Sequence, residues 1–255
     1  MTFSIGGIRA EVRLAGFPRP FTARLRGRYA CFLRGSGEPR LTLRLEPAVG
    51  PLGPRDVLLG AGRLLRHDFD VRLRPRTAEG RVVPNVYAFD SLLRVIWTRL
   101  LSEAQGGLFH AAGIGVGRGA LLFPGRSGAG KSTLARKVKA PARVLSDELV
   151  PVRRGPRGWQ AYGAPFWGEF RTGRSVPEGR ALEAVAFLRK GPRLAVRPLS
   201  TAEAARRLLE TYLCFDEDAR AHLALVSRLA AEVPAVELTS PLRSTFARIR
   251  QVLSK

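Results

Sequence analysis

Residues 125–132 read Gly-Arg-Ser-Gly-Ala-Gly-Lys-Ser, a complete G-x-x-x-x-G-K-[ST] loop, and no other stretch constrains the fold as strongly. Such a loop works only between a buried strand and the start of a helix, so it predicts α/β architecture with that junction at the edge of a sheet. Glycines let successive N–H groups converge on an anion. The lysine ammonium reaches the β/γ-phosphates, and the serine hydroxyl is an oxygen ligand for Mg²⁺. The flanks agree, because residues 120–123 are an apolar run suited to a buried strand and residues 131–139 have helical composition without a breaker. Gly125, Arg126, Ser127, Gly128, Ala129, Gly130, Lys131, Ser132 and Thr133 are therefore the expected nucleotide-binding set. The competing explanation is a glycine-rich turn that matches by accident.

Gly113, Gly115, Gly117 and Gly119 precede the loop, but Arg118 stands where a dinucleotide fingerprint needs its third glycine. The segment is better explained as a hairpin: a strand over 108–116, a tight turn at 117–119, then the strand that enters the loop.

A chain of 255 residues with 45% hydrophobic content can build one large domain or two modest ones. No stretch approaches the ~20 uninterrupted apolar residues of a membrane span, and the first residues lack a signal-peptide layout. A cytoplasmic enzyme is the expectation. Cys31 and Cys214 fit no metal or Cys-x-x-Cys pattern and are expected to be reduced and buried. His67, His110 and His222 are too scattered for a sequence-local zinc site.

The formal charge of +22 ordinarily points to an anionic partner. Only five of the basic residues are lysines, the other 38 being arginines spread along almost every segment. That spread, without a basic tail or aromatic-interleaved stripe, disfavours nucleic acid. It leaves two explanations open, a general arginine bias and an acidic peptide partner.

Residues 1–84 alternate short apolar runs, such as 29–33 and 41–45, with Gly and Pro, and predict a strand-rich N-terminal region. The rest, 85–255, is expected to be the nucleotide domain. A helix over 91–105, capped by Asp90 and stopped by Gly106-Gly107, is expected to pack on it. Beyond the loop, the pattern predicts strands at 144–153, 184–189, 193–198 and 235–238, helices at 201–213 and 217–231, and a last helix from 241. Ser200 and Glu203 fit a capping box, and Ser240-Pro241 fits a helix start.

Asp147 and Glu148 follow a short apolar run, fifteen positions beyond Ser132. A nucleoside-triphosphate enzyme wants a metal-binding acid or general base at such a place. Asp147 is the expected base or metal ligand, with Ser132 and Glu148 as further metal ligands. His110, at the start of the hairpin, can face the mouth of the loop. Residues 162–170 mix glycines, a proline and aromatics with Glu169 and suit a loop that closes on a substrate. Phe166, Trp167, Arg171 and Arg174 would frame an acceptor there.

The order of His110, the Gly-Arg-Ser-Gly-Ala-Gly-Lys-Ser-Thr loop, Ser-Asp-Glu-Leu-Val and Gly-Ala-Pro-Phe-Trp-Gly-Glu resembles the C-terminal kinase domain of the HPr kinase/phosphorylase family, over roughly residues 85–255. The resemblance implies a P-loop-containing mixed sheet of the kind shared with ATP-dependent phosphoenolpyruvate carboxykinase, and phosphate transfer to a serine hydroxyl. It implies that Lys131 and Ser132 hold ATP and Mg²⁺, that Asp147 takes the hydroxyl proton, and that His110 lies beside it. Two features differ: Asp147-Glu148 replaces an aspartate pair, and the Glu-Arg-Gly-Leu-Gly phosphorylase signature is missing. The resulting expectation is an Mg²⁺-ATP-dependent kinase of a serine on a peptide or small protein. A kinase of a small metabolite such as free serine, a carboxykinase-like enzyme and a non-catalytic ATP-sensing module remain as alternatives.

Overall fold

The computed structural model describes residues 1–33, 35, 37–168, 177–215, 218–241 and 243–254. Two mixed sheets and six α-helices make up the described fold. The first sheet starts with β1 (Thr2–Ile5) and β2 (Ile8–Leu14), a hairpin closed by Gly6 and Gly7, both at positive φ. It continues with β3 (Leu41–Pro47), β4 (Leu58–Gly60), β5 (Arg63–Arg66), β6 (Phe69–Leu73) and β7 (Thr77–Val82), in the order β1-β2-β3-β7-β6-β5-β4. Alternation along β2 and β3 buries Ile8, Ala10 and Val12, then Leu41, Leu43 and Leu45, as one apolar face requires.

Two details depart from the sequence pattern. Helix α1 (Arg19–Arg28) interrupts the strands, and residues 30–32 form a 3₁₀ turn where a strand was expected. The apolar content of α1 is low, with only Phe21 and Leu25 buried, one turn apart, among exposed arginines. Tyr29 is buried against Phe3 with ring centroids 5.3 Å apart, so its apolar neighbourhood is a helix-to-sheet contact.

Helix α2 (Val86–Ser102) starts earlier than expected. Asn85 is its cap, its Oδ1 accepting the Tyr87 N–H at 2.8 Å, while Asp90 lies inside the helix and is buried. Phe89, Leu92, Leu93, Ile96, Trp97 and Leu101 share a core with Phe3, Ile5 and Phe69, and with Leu108, Leu149 and Phe166 beside the second sheet. Each such large apolar side chain contributes about 2 kcal/mol when fully buried. The helix therefore packs on both sheets and not on the C-terminal part alone. Trp97 Nε1 fixes its depth by donating to the Ile5 carbonyl at 3.0 Å.

The second sheet has nine strands. β8 (Gly106–Val116) and β9 (Gly119–Pro124) form the expected hairpin, with Val116 opposite Gly119 and Gly117 at positive φ in the turn. β10 (Arg143–Ser146), β11 (Leu149–Gly155), β12 (Gly158–Tyr162), β13 (Gly179–Lys190), β14 (Ala195–Pro198), β15 (Tyr212–Leu213) and β16 (Ala235–Ser240) follow. β9 runs parallel to β13, and β13 parallel to β16, so the C-terminal ends of these strands lie side by side. The single strand expected over 144–153 is two strands paired to β8, broken at Asp147-Glu148.

The remaining helices are α3 (Lys131–Arg136), α4 (Thr201–Leu209), α5 (Ala219–Glu232) and α6 (Phe246–Leu253). α3 and α4 stop short of the predicted lengths. The capping box of Ser200 and Glu203 is present on α4. Ser240 does not start the last helix, because it stays in the ladder opposite Lys190. Thr245 caps α6 instead. Cys31 is half-buried and Cys214 exposed, so the expected burial fails for Cys214. Among the described residues, no helix is long and apolar enough to cross a membrane.

Candidate functional site

The glycine-rich loop follows β9 and runs directly into α3. Gly125 N–H donates to the His110 carbonyl at 3.1 Å, which fastens the start of the loop to β8. Gly128 has φ +80° and Gly130, the residue preceding α3, has φ +96°, a region that suits glycine. A Cβ on Gly125 would lie 2.7 Å from the Ala129 Cβ, so the loop closes only without one. The Lys131 ammonium sits inside this turn and donates to the Gly125 carbonyl at 2.6 Å and the Arg126 carbonyl at 2.9 Å. Burial holds its pKa below the usual lysine value, while the charges of Asp147 and Glu148 pull the other way.

A cleft of about 410 Å³ opens beside the loop. Ser127, Gly128, Gly130, Lys131, Ser132 and Thr133 form one side, and His110, Asp147, Glu148, Gly168 and Lys190 complete it. Three members of the expected set lie elsewhere. Gly125 is bound back to β8, Arg126 is 3.6 Å from Glu210, and Ala129 lines a smaller neighbouring hollow.

The break between β10 and β11 turns two consecutive carboxylates in different directions. Asp147 is 2% exposed, and its Oδ1 accepts the Gly168 N–H at 3.0 Å. The corner is held by Ser146, whose Oγ donates to the Phe166 carbonyl at 2.9 Å and accepts the Glu148 N–H at 3.2 Å. Glu148 instead meets Arg94 of α2, with both carboxylate oxygens engaged, at 2.9 and 3.1 Å. Arg94 also reaches Asp90 at 3.4 Å and lies over the Phe166 ring. Asp90 in turn accepts the Tyr29 hydroxyl at 2.7 Å and pairs with Arg28 at 3.3 Å. An ionic chain thus connects the cleft to the end of α1, where Tyr29 packs on Phe3 of the first sheet.

His110 is half-buried in the cleft wall. Burial, and then the Lys131 charge, hold its pKa below the ordinary histidine value, against the opposing pull of Glu148. Both influences favour the neutral imidazole.

The carboxylates bear on metal binding. Among the described residues, no three His, Cys, Asp or Glu side chains gather to hold a metal ion. Mg²⁺ needs less than that, since it is commonly held by one or two carboxylates together with phosphate oxygens and water. Ser132 and Asp147 fit that pattern. Glu148, expected as a further ligand, is committed to Arg94.

Phe166 is fully buried and offers no aromatic face to an acceptor, whereas Trp167 is half-exposed. Glu169, Arg171 and Arg174 lie outside the described residues. Sequence reasoning missed Arg94, Gly168 and Lys190. Asp90 and Arg94 are four apart on one helix, the spacing of a facing ion pair, and that signal was readable. Lys190 ends β13, next to β9, where ligands gather at the carboxyl ends of parallel strands.

Over residues 84–246 the sequence matches the family described as SynChlorMet cassette protein ScmC, a span of well over half the chain. It takes in β8, the loop, Asp147, Glu148 and Lys190. No curated protein matches the chain. This match corrects the resemblance to the HPr kinase/phosphorylase family. That resemblance rested on a phosphate-type loop and a few residues after a strand, a pattern that recurs across unrelated families.

Proposed function

The chain belongs to the ScmC family of SynChlorMet cassette proteins, and from the cleft built by the matching segment we propose that it is an Mg²⁺-ATP-dependent phosphotransferase acting on a hydroxyl group of a polypeptide. One observation carries the proposal: Asp147, a buried carboxylate at the break between β10 and β11, shares the cleft with Lys131 and Ser132. Holding a nucleotide requires the loop and its lysine. A buried acid beside them is what an in-line transfer to a hydroxyl adds.

The roles follow from chemistry. Backbone N–H groups of the loop and the Lys131 ammonium hold phosphate oxygens, and Ser132 Oγ with the Asp147 carboxylate suits Mg²⁺ or the acceptor proton. ATP supplies the γ-phosphoryl group and Mg²⁺ offsets its charge. Asp147 is kept in place by the Gly168 N–H and accepts the proton of the hydroxyl. Arg94 pairs with Glu148 at the cleft wall and neutralises its charge.

A second reading, nucleotide sensing without transfer, is favoured by the contacts from Glu148 through Arg94 and Asp90 to Tyr29, which give the cleft a route to the end of α1. Replacing Asp147 separates the two. Asp147→Asn keeps the shape and removes the base, so transfer of label from γ-labelled ATP to polypeptide should fall roughly 10²-fold or more while ATP still binds. Wild-type protein that binds Mg²⁺-ATP and labels nothing is a sensor. Unchanged transfer by Asp147→Asn moves the base elsewhere.

A further inference from the structure

A second concavity, of about 1110 Å³, lies at the far end of α3. One wall is the segment 136–142 and the other is α6 with the turn before it. Arg136, Lys137 and Lys139 line the first wall, and Arg243 and Arg250 the second. Ala140, Pro141 and Phe246 lie between them, and among the described residues no carboxylate lines the groove.

Several arginines elsewhere are matched by acids, as in Arg63 with Asp70, Arg154 with Glu232 and Arg207 with Glu237. Among the described residues, Lys139, Arg243 and Arg250 have no carboxylate partner. Five cations around one groove, three of them unmatched, cost self-repulsion that an anionic occupant relieves.

The groove also lies close to the cleft. A small hollow between them shares Gly130, Thr133 and Lys190 with the cleft, and Lys137 with the groove. The six residues of α3 separate the two ends, about 9 Å of helix. About three residues of extended chain cover that distance.

We propose that this groove docks an acidic, partly apolar polypeptide segment and so presents a nearby hydroxyl to the cleft. Carboxylates suit the arginine forks, and the apolar groups between them suit aliphatic side chains. Phe246, the one aromatic side chain lining the groove among the described residues, is 5% exposed, so bases would find no stacking platform there, and single-stranded nucleic acid is disfavoured. A concave surface likewise suits a chain better than a flat anionic bilayer. The proposal rests on the phosphotransferase reading only for its purpose; docking itself requires no nucleotide.

The test is fluorescence anisotropy without ATP, using a fluorescein-labelled peptide of Glu, Leu and Ser, its Lys-for-Glu counterpart, a labelled single-stranded oligonucleotide and phosphatidylserine vesicles. The acidic peptide should bind, weaken as salt rises, and lose at least about 10-fold in affinity in Arg243→Glu/Arg250→Glu, with Lys139→Glu as a second, independent variant. Lys131→Ala should dock it normally, because the groove does not include the loop lysine, and wild-type protein that docks the peptide but transfers no label to it counts against the phosphotransferase reading alone. Docking that ignores both groove variants, equal binding of the basic peptide, or binding of the oligonucleotide or vesicles that is lost in those variants in place of peptide binding would overturn the proposal.

Discussion

The guanidinium of Arg94 holds both carboxylate oxygens of Glu148, at 2.9 and 3.1 Å, across the boundary between α2 and the second sheet. Each partner keeps about a quarter of its side-chain surface exposed, 26% and 28%. The pair is thus drier than a surface ion pair but not fully desolvated. It also gives the two adjacent acids of the cleft different partners, because Glu148 is engaged here and Asp147 is held by the Gly168 N–H.

Arg94→Met keeps the packing over Phe166 but leaves Glu148 and Asp90 short of a cation. The expected loss of folding stability is about 2 kcal/mol, below the full cost of breaking a buried pair because water still reaches both groups. Urea denaturation checks it. Arg94→Met/Glu148→Gln should regain part of the loss, and strict additivity of the two changes would count against the coupling.

His110 sets a pH dependence. Its pKa in the folded protein lies below the ordinary value of 6.5, so the unfolded chain binds the proton more readily. The sign is fixed by that order. Stability from keeping His110 neutral is present above pH 6.5 and is lost as pH falls through 6.5 toward the lower folded value. Denaturation curves between neutral and mildly acidic pH should show this slope in wild-type protein and less of it in His110→Gln. Identical slopes would exclude His110 as its source.

Gly168 is required by closeness. A Cβ there would lie 3.0 Å from Asp147 Oδ2 and 3.4 Å from Glu148 Cβ, so Gly168→Ala must displace the acid or its own segment. Misplacing a reacting group by a fraction of an ångström slows transfer by roughly 10-fold or more. Steady-state kinetics should show a lower kcat with little change in KM for ATP. A larger effect on KM would place Gly168 in nucleotide binding instead.

Much of this arrangement was legible in the sequence, and the exceptions have a common cause. The hairpin, the loop, α4 and its capping box depend on neighbours within a few residues, where glycine geometry and capping chemistry act. Asp90 looked like a helix cap by the same local logic. Its environment is set by Tyr29, sixty-one residues away, and the nearer cap Asn85 starts the helix instead. The run from 144 to 153 looked like one strand because its apolar residues are continuous, yet pairing to β8 forces a break at Asp147-Glu148. Phe166 looked like an exposed aromatic in a glycine-rich loop. Burial against Arg94 and the α2 core claims it, a contact between distant segments that composition does not reveal.

Calorimetric titration of Mg²⁺-ATP into wild-type protein and Lys131→Ala tests the central claim most directly. Lys131 is the buried cation around which the loop is folded, and the proposed function assigns it the loop's point charge on phosphate. The account predicts saturable binding to the wild type that requires Mg²⁺ for full affinity, and at least about a 10-fold loss in Lys131→Ala. No binding to the wild type, or equal affinity in both proteins, would contradict it.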